Sequence, residues 1–250
     1  MVDFCIATTM VKQLMAATAA IALLCAPAYA EESSRPADFV DIRELDPSIQ
    51  VDILYSGPHN FIGRPIAGYE ANRCLLTRAA AEALARIQSR LKGFGLSLKL
   101  YDCYRPQTAV DGFERWASAA VDDARRAQFY PRVPKDQLIS RGYIASPSSH
   151  SRGSTVDATI IAASPPLRRK PKSSCGAPDP TMLDMGTGFD CFDESAHVHA
   201  PGLTPQQRAN RMLMQTLFTA EGFNSYPREW WHFTLRDEPY PDRYFDFPVR

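Results

Sequence analysis

Ser148-Ser149-His150-Ser151-Arg152-Gly153-Ser154-Thr155-Val156-Asp157 sets a histidine ahead of a glycine-containing turn and an aspartate inside a β-branched strand that continues to Ile161. A carboxylate within such a strand must be hydrogen-bonded or bound to a metal, because nothing else offsets its desolvation. Taken alone, His150 and Asp157 read equally well as a hydrogen-bonded core couple and as two metal ligands. Upstream, Leu96-Ser-Leu-Lys-Leu-Tyr-Asp102 alternates strictly and predicts a strand, and downstream the run from Trp230 to Leu235 predicts another. Apolar residues at helical spacing predict a helix over Arg78–Lys92, with Thr77 as N-cap and Gly93 as the stop, and a second over Thr108–Gln128. A third, Pro205–Glu221, is signed by Thr204 at the N-cap, Pro205 at N1, Gln207 at N3 and Gly222 beyond its end. Helices and strands mixed with short gaps predict an α+β fold with a small, mainly antiparallel sheet flanked by helices.

A second chemical segment, Glu229-Trp230-Trp231-His232-Phe233, puts a carboxylate and an imidazole three residues apart among aromatics. On an extended chain an odd offset sends them to opposite faces, so Glu229 is expected in the bend before the strand, from which both side chains reach one pocket. Taken alone, this too is compatible with a buried histidine beside an aromatic core. Together the segments supply His150, Asp157 and His232, a three-ligand zinc set that leaves a fourth position open, plus Glu229 as a general base. In Tyr101-Asp102-Cys103-Tyr104-Arg105-Pro106, Arg105 stands at a strand end where a fixed cation would stabilise an oxyanion; the plainer reading pairs it with Asp102 or a surface carboxylate. His197 and His199 form a His-x-His pair in a polar loop that offers no third ligand, and they read as structural or solvent-exposed.

Of the 250 residues, 28 are Lys or Arg and 28 are Asp or Glu, so the basic surplus that nucleic acid or anionic lipid requires is missing, and a small-molecule partner is expected. Residues 1–30 read as a signal peptide: Lys12, an apolar run from Leu14 to Ala26, and small residues at Ala28-Tyr29-Ala30, with Met10 as an alternative start. The apolar run is shorter than the roughly 20 residues that cross a bilayer, so a secreted, periplasmic domain over 31–250 is expected, without stable membrane insertion. Cys74, Cys103, Cys175 and Cys191 then lie where disulfides persist. Pairing Cys74 with Cys103 and Cys175 with Cys191 closes two modest loops, the second stapling the Pro-rich stretch from Ser164 to Pro180; a cysteine zinc site would need a C-x-x-C element, which the spacing lacks.

With these residues in view, the sequence resembles the D-alanyl-D-alanine dipeptidases, the VanX-like branch of the zinc peptidases that also include D,D-carboxypeptidases and the hedgehog signalling domain. The matching blocks are Asn60-Phe61-Ile62-Gly63, Gly68-Tyr69-Glu70, Tyr104-Arg105-Pro106, Ser148 to Asp157, Met185-Gly186 with Phe189-Asp190, Asp193-Glu194 and Glu229 to Phe233. The resemblance implies one zinc ion at His150, Asp157 and His232, Glu229 as base for the attacking water, and Arg105 on the tetrahedral intermediate. It implies further that Ser148 and Asp190 hold the free amino group of the dipeptide D-alanyl-D-alanine. The insertion around Ser164 to Pro180 and the cysteines depart from the family pattern and touch no matched catalytic position. Two alternatives share the metal site: a D,D- or L,D-carboxypeptidase acting on peptidoglycan stem peptides, and a catalytically silent zinc-binding module, for which Glu229 and Arg105 would be superfluous.

Overall fold

The computed structural model describes residues 34–119, 124–163 and 175–250; the signal peptide expected over 1–30 lies outside them. Five strands form the main sheet: β2 (Gln50–Val51), β4 (Leu96–Asp102), β5 (Thr155–Ala162), β7 (His232–Leu235) and β6 (Phe223–Ser225), in that spatial order. All neighbours pair antiparallel except β2 and β4, so the mainly antiparallel α+β sheet expected from the strand patterns is present. A two-stranded ribbon of β1 (Phe39–Asp41) and β3 (Leu75–Thr77) stands beside it. The helices are α1 (Ile42–Leu45), α2 (Arg78–Lys92), α3 (Gln107–Ser118), α4 (Arg126–Phe129) and α5 (Pro205–Ala220).

The even positions of β5 (Val156, Ala158, Ile160) lie on the sheet face shared by Leu98, Leu100 and Phe233. α2 packs on β4, and Phe218 of α5 stacks on Phe233 with ring centroids 3.9 Å apart, so this face is sealed as core. Every residue of β5 but the last is buried, so its odd positions are enclosed too. Asp157 is therefore a buried carboxylate.

A one-residue irregularity in β4 decides what faces it. From Leu96 to Leu100 the register with β5 is regular; carried on, it would set Asp102 opposite Val156, on the core face. A bulge at Tyr101 shifts Asp102 to Asp157 instead. Because directly opposed residues point the same way and a bulge re-aims the side chain that follows it, Asp102, Asp157 and His232 form one row across three adjacent strands.

The α5 start behaves as its residues require: Thr204 Oγ1 accepts from Gln207 N at 3.2 Å and Gln207 Oε1 accepts from Thr204 N at 2.9 Å. Thr77 precedes α2 as expected but makes no side-chain cap; its hydroxyl lies 2.7 Å from Ser154 Oγ in the interior. The single helix expected over Thr108–Gln128 is broken: α3 ends at Ser118, Ala119 is extended, and α4 is a separate turn. A continuous helix would hold positions 116 and 130 about 21 Å apart, whereas the rings of Trp116 and Tyr130 meet at 5.7 Å, which forces the chain to double back. Among the described residues, no helix is long and apolar enough to cross a membrane. The disulfides pair Cys74 with Cys103 and Cys175 with Cys191, as expected.

Gly153 closes the turn between His150 and Asp157 at φ +83°, and a Cβ there would lie 2.2 Å from Phe39 Cζ. Gly153→Ala is expected to lower stability by about 2–5 kcal/mol through the left-handed backbone and the clash together. Urea unfolding checks this, and an unchanged midpoint would contradict it.

Candidate active site

His150 belongs to a 3-10 turn, Ser149–Arg152, that delivers the chain into β5, while His232 opens β7 directly opposite Asp157. Three atoms converge: Asp157 Oδ1 lies 3.4 Å from His150 Nε2 and 3.1 Å from His232 Nδ1, and the two nitrogens are 3.3 Å apart. Asp157 Oδ1 is buried yet receives no hydrogen bond. Ligands at zinc–nitrogen distances in a tetrahedron sit about 3.4 Å from one another, so the orphaned oxygen and its two neighbours fit that ion. Among the described residues this is the one group of three or more side chains able to hold a metal. Their far sides are fixed as well. His150 Nδ1 lies 2.7 Å from the carbonyl of Cys103, and His232 Nε2 lies 3.4 Å from Ser149 Oγ, the outer contacts that orient metal-binding imidazoles. Burial lowers the pKa of His232 against the opposing pull of Asp157, favouring the neutral form that coordinates metals.

Glu229 lies in the bend before β7, as its offset from His232 requires: Tyr226 N donates to His232 O, and His232 N to Glu229 O. Its Oε2 is 3.7 Å from His232 Nδ1. Burial first, then the charges of Asp157 and Asp190, hold the Glu229 carboxyl well above its ordinary range, with Arg105 pulling the other way.

Arg105 pairs with Asp102, the plainer of the two readings, and also faces the cavity. Its Nε and Nη2 donate to Asp102 Oδ2 at 3.0 and 2.8 Å, and its guanidinium packs over the rings of Phe113 and Tyr55, 5.0 and 5.3 Å from their centroids. Nη2 also lies 3.8 Å from Asp157 Oδ2, so the group that anchors Arg105 aims it at the row of candidate ligands. Asp102 accepts a further hydrogen bond, 2.6 Å long, from Tyr69 Oη.

Asp190 comes from a separate loop, at the left-handed φ of +57°, and its two oxygens accept from Tyr55 Oη at 3.1 and 3.0 Å. Burial, then Asp157, push its carboxyl well above the usual range, while Tyr55 and Arg105 draw it down. Ser148 precedes the 3-10 turn, buried, its Oγ accepting from His150 N at 3.4 Å. Arg105, Ser148, His150, Asp157, Asp190, Glu229 and His232 all line one cavity of about 430 Å³, whose other walls include Tyr55, Phe113, Tyr143, Tyr226 and Trp231. His197 and His199 stand apart from it: His197 is partly buried with Nε2 3.0 Å from Tyr143 Oη, and His199 is exposed.

Sequence reasoning missed Tyr55, quoted Tyr69 and Ser149 within matching blocks without giving either a role, and gave Asp102 only as a possible partner of Arg105. The charge balance shows why they matter. Asp102, Asp157, Asp190 and Glu229 are buried here against Arg105 alone, an excess of three negative charges when all are ionised. Uncompensated buried charge on that scale is not tolerated, which is why the carboxyls of Asp190 and Glu229 are held above their ordinary range; a divalent cation with one ammonium group would let all four ionise.

The sequence matches the Peptidase_M15 family, described as D-ala-D-ala dipeptidase, over residues 35–250. It is 39% identical to the D-alanyl-D-alanine dipeptidase of Enterococcus faecalis over 211 residues, 84% of this chain and 98% of that protein. To the protein of the same name from Streptomyces coelicolor it is 40% identical over 212 residues, 85% of this chain and 98% of the relative. That of Escherichia coli is 31% identical over 198 residues, 79% of this chain and 84% of the relative. The chain thus belongs to the Peptidase_M15 family of D-ala-D-ala dipeptidases.

Proposed function

We propose that this chain is a zinc metallopeptidase that hydrolyses the free dipeptide D-alanyl-D-alanine to two molecules of D-alanine. The observation that carries the reading is the orphaned Asp157 Oδ1, set between two imidazole nitrogens on the wall of a cavity that also holds Glu229, Arg105 and Asp190. His150, Asp157 and His232 would hold the ion, which when bound supplies Lewis acidity and lowers the pKa of water toward neutrality. Glu229, made basic by burial, accepts the proton of the attacking water and returns it to the leaving amine. Arg105, locked by Asp102, presents a fixed positive charge to the oxyanion as it forms. Asp190 and Ser148, which line the same cavity, take the substrate's ammonium. Residues 1–30 serve as the export signal and 31–250 as the mature periplasmic enzyme, a reading that the two disulfides support.

The substrate's charged amino end provides the test. Blocking it removes the partner of Asp190 and leaves a desolvated carboxylate unpaired, at a cost of about 1–3 kcal/mol, to which the bulk of the blocking group adds. N-acetyl-D-alanyl-D-alanine and stem pentapeptides are therefore expected to have kcat/KM far below that of the free dipeptide. Equal or faster cleavage of the pentapeptide would establish a carboxypeptidase instead. Arg105→Ala is expected to keep zinc and lose about a hundredfold to a thousandfold in kcat. An effect on KM alone would make Arg105 a positioning group.

A further inference from the structure

Asp190 is a non-glycine residue in the left-handed region, a conformation that costs on the order of 1 kcal/mol or more and persists only where its surroundings over-determine it. The structure shows what does so. Immediately after Asp190, Cys191 is tied by its disulfide to Cys175, and immediately before it, Phe189 bridges to Ala177, whose N–H donates to the Phe189 carbonyl at 2.7 Å. Gly188 N donates to Cys175 O at 2.8 Å, closing the ladder between the two segments. The strands approach so closely that a Cβ on Gly188 would sit 2.2 Å from the Ala177 carbonyl oxygen and 2.9 Å from Gly176 C. Both segments are then pinned to the end of α4: Gly176 N donates to Gln128 O at 2.6 Å, and Phe192 N to Phe129 O at 2.7 Å. Phe189 is wedged against Tyr101 and Trp231, ring centroids 4.8 and 5.5 Å away, and Asp190 alone of this stretch turns its carboxylate to Tyr55 in the cavity.

We propose that the Cys175–Cys191 disulfide and the Gly188–Ala177 contact form a clamp that positions Asp190 for the substrate's amino group and so sets affinity for the free dipeptide. The proposal rests on the reading of Asp190 as the ammonium-binding residue. The clamp residues supply none of the candidate ligands and are not the base, so its loss is expected to fall mainly on substrate binding, with the metal kept and KM changed more than kcat.

The experiment compares four full-length proteins, the parent, Cys175→Ser/Cys191→Ser, Asp190→Ala and the triple variant, by kcat and KM on D-alanyl-D-alanine, with zinc content measured for each. The double serine variant is expected to retain one zinc and a kcat close to the parent's while KM rises about tenfold or more, the scale on which small misplacements act. In the Asp190→Ala background the same change is expected to add nothing, because the residue through which the clamp acts is gone. Gly188→Ala, which leaves the disulfide intact, is expected to raise KM in the same direction. It guards against a double variant that does not fold. An unchanged KM in folded Cys175→Ser/Cys191→Ser, or effects that add in the triple variant, would overturn the clamp. An unchanged KM in Asp190→Ala would instead overturn the ammonium reading, and the clamp with it.

Discussion

Replacing any one of His150, Asp157 or His232 by alanine is expected to abolish zinc binding and, with it, dipeptide hydrolysis. The three candidate ligand atoms stand 3.1–3.4 Å apart with no hydrogen bond to Asp157 Oδ1, so they would together give an ion three protein ligands, and each variant would leave two. Changes to groups that merely orient ligands already cost about 10- to 100-fold in metal affinity; loss of a ligand costs more. Asp157→Ala carries a second penalty, because it leaves Arg105 and Asp102 facing an emptied wall of the cavity. Metal analysis of the purified variants decides the matter. Full zinc occupancy in any of them would remove that residue from the ligand set.

Glu229→Gln is expected to retain its zinc and to lose about a hundredfold to ten-thousandfold in kcat, the range of a general base. The amide keeps the shape and burial of the side chain in the Tyr226–His232 turn but cannot accept a proton. The change should fall on kcat, with KM little altered, because Glu229 is asked to act in the transition state and not in binding. Turnover within a few-fold of the parent, with zinc in place, would sink the assignment.

These expectations could be formed from the sequence because the chemistry lies in short, dense blocks. His150 and Asp157 are separated by one turn, and Glu229 and His232 by one bend, so each pair lies close in sequence, and the two segments taken together pointed to one site. Helix α5 was equally legible, since its capping box is a contact between neighbours in sequence. What stayed hidden depends on partners far along the chain. Asp102 ends an alternating strand whose period would put it on the face of Leu98 and Leu100; the bulge at Tyr101, visible only in pairing with β5, turns it toward Asp157. Tyr55 carries no motif and Tyr69 lies in a matching block that assigns its hydroxyl no role; both hydroxyls find their partners only because the fold brings Asp190 and Asp102 to them from 135 and 33 residues away. Thr77 looks like a cap in sequence, but Ser154, from a segment 77 residues on, claims its hydroxyl. The helix expected over Thr108–Gln128 failed for the same reason: its propensity is continuous, and the contact between Trp116 and Tyr130 is what ends it. The ribbon of β1 and β3 and the buried Phe245, Phe247 and Val249 near the C-terminus are too short or too irregular to show a period, and they are held by partners far along the chain: β1 pairs with β3, Phe245 and Phe247 pack on Phe39, and Val249 bridges to Tyr69.

Metal-dependent cleavage of a free D,D-dipeptide is tested by measuring the D-alanine released from D-alanyl-D-alanine by the purified protein as isolated, after removal of metal with a chelator, and after return of zinc. Two D-alanine per dipeptide consumed, no release by the metal-free protein, and recovery of the original rate as zinc approaches one ion per chain are expected. Release that persists in protein shown to be free of metal, or none from fully zinc-loaded protein, would contradict that expectation.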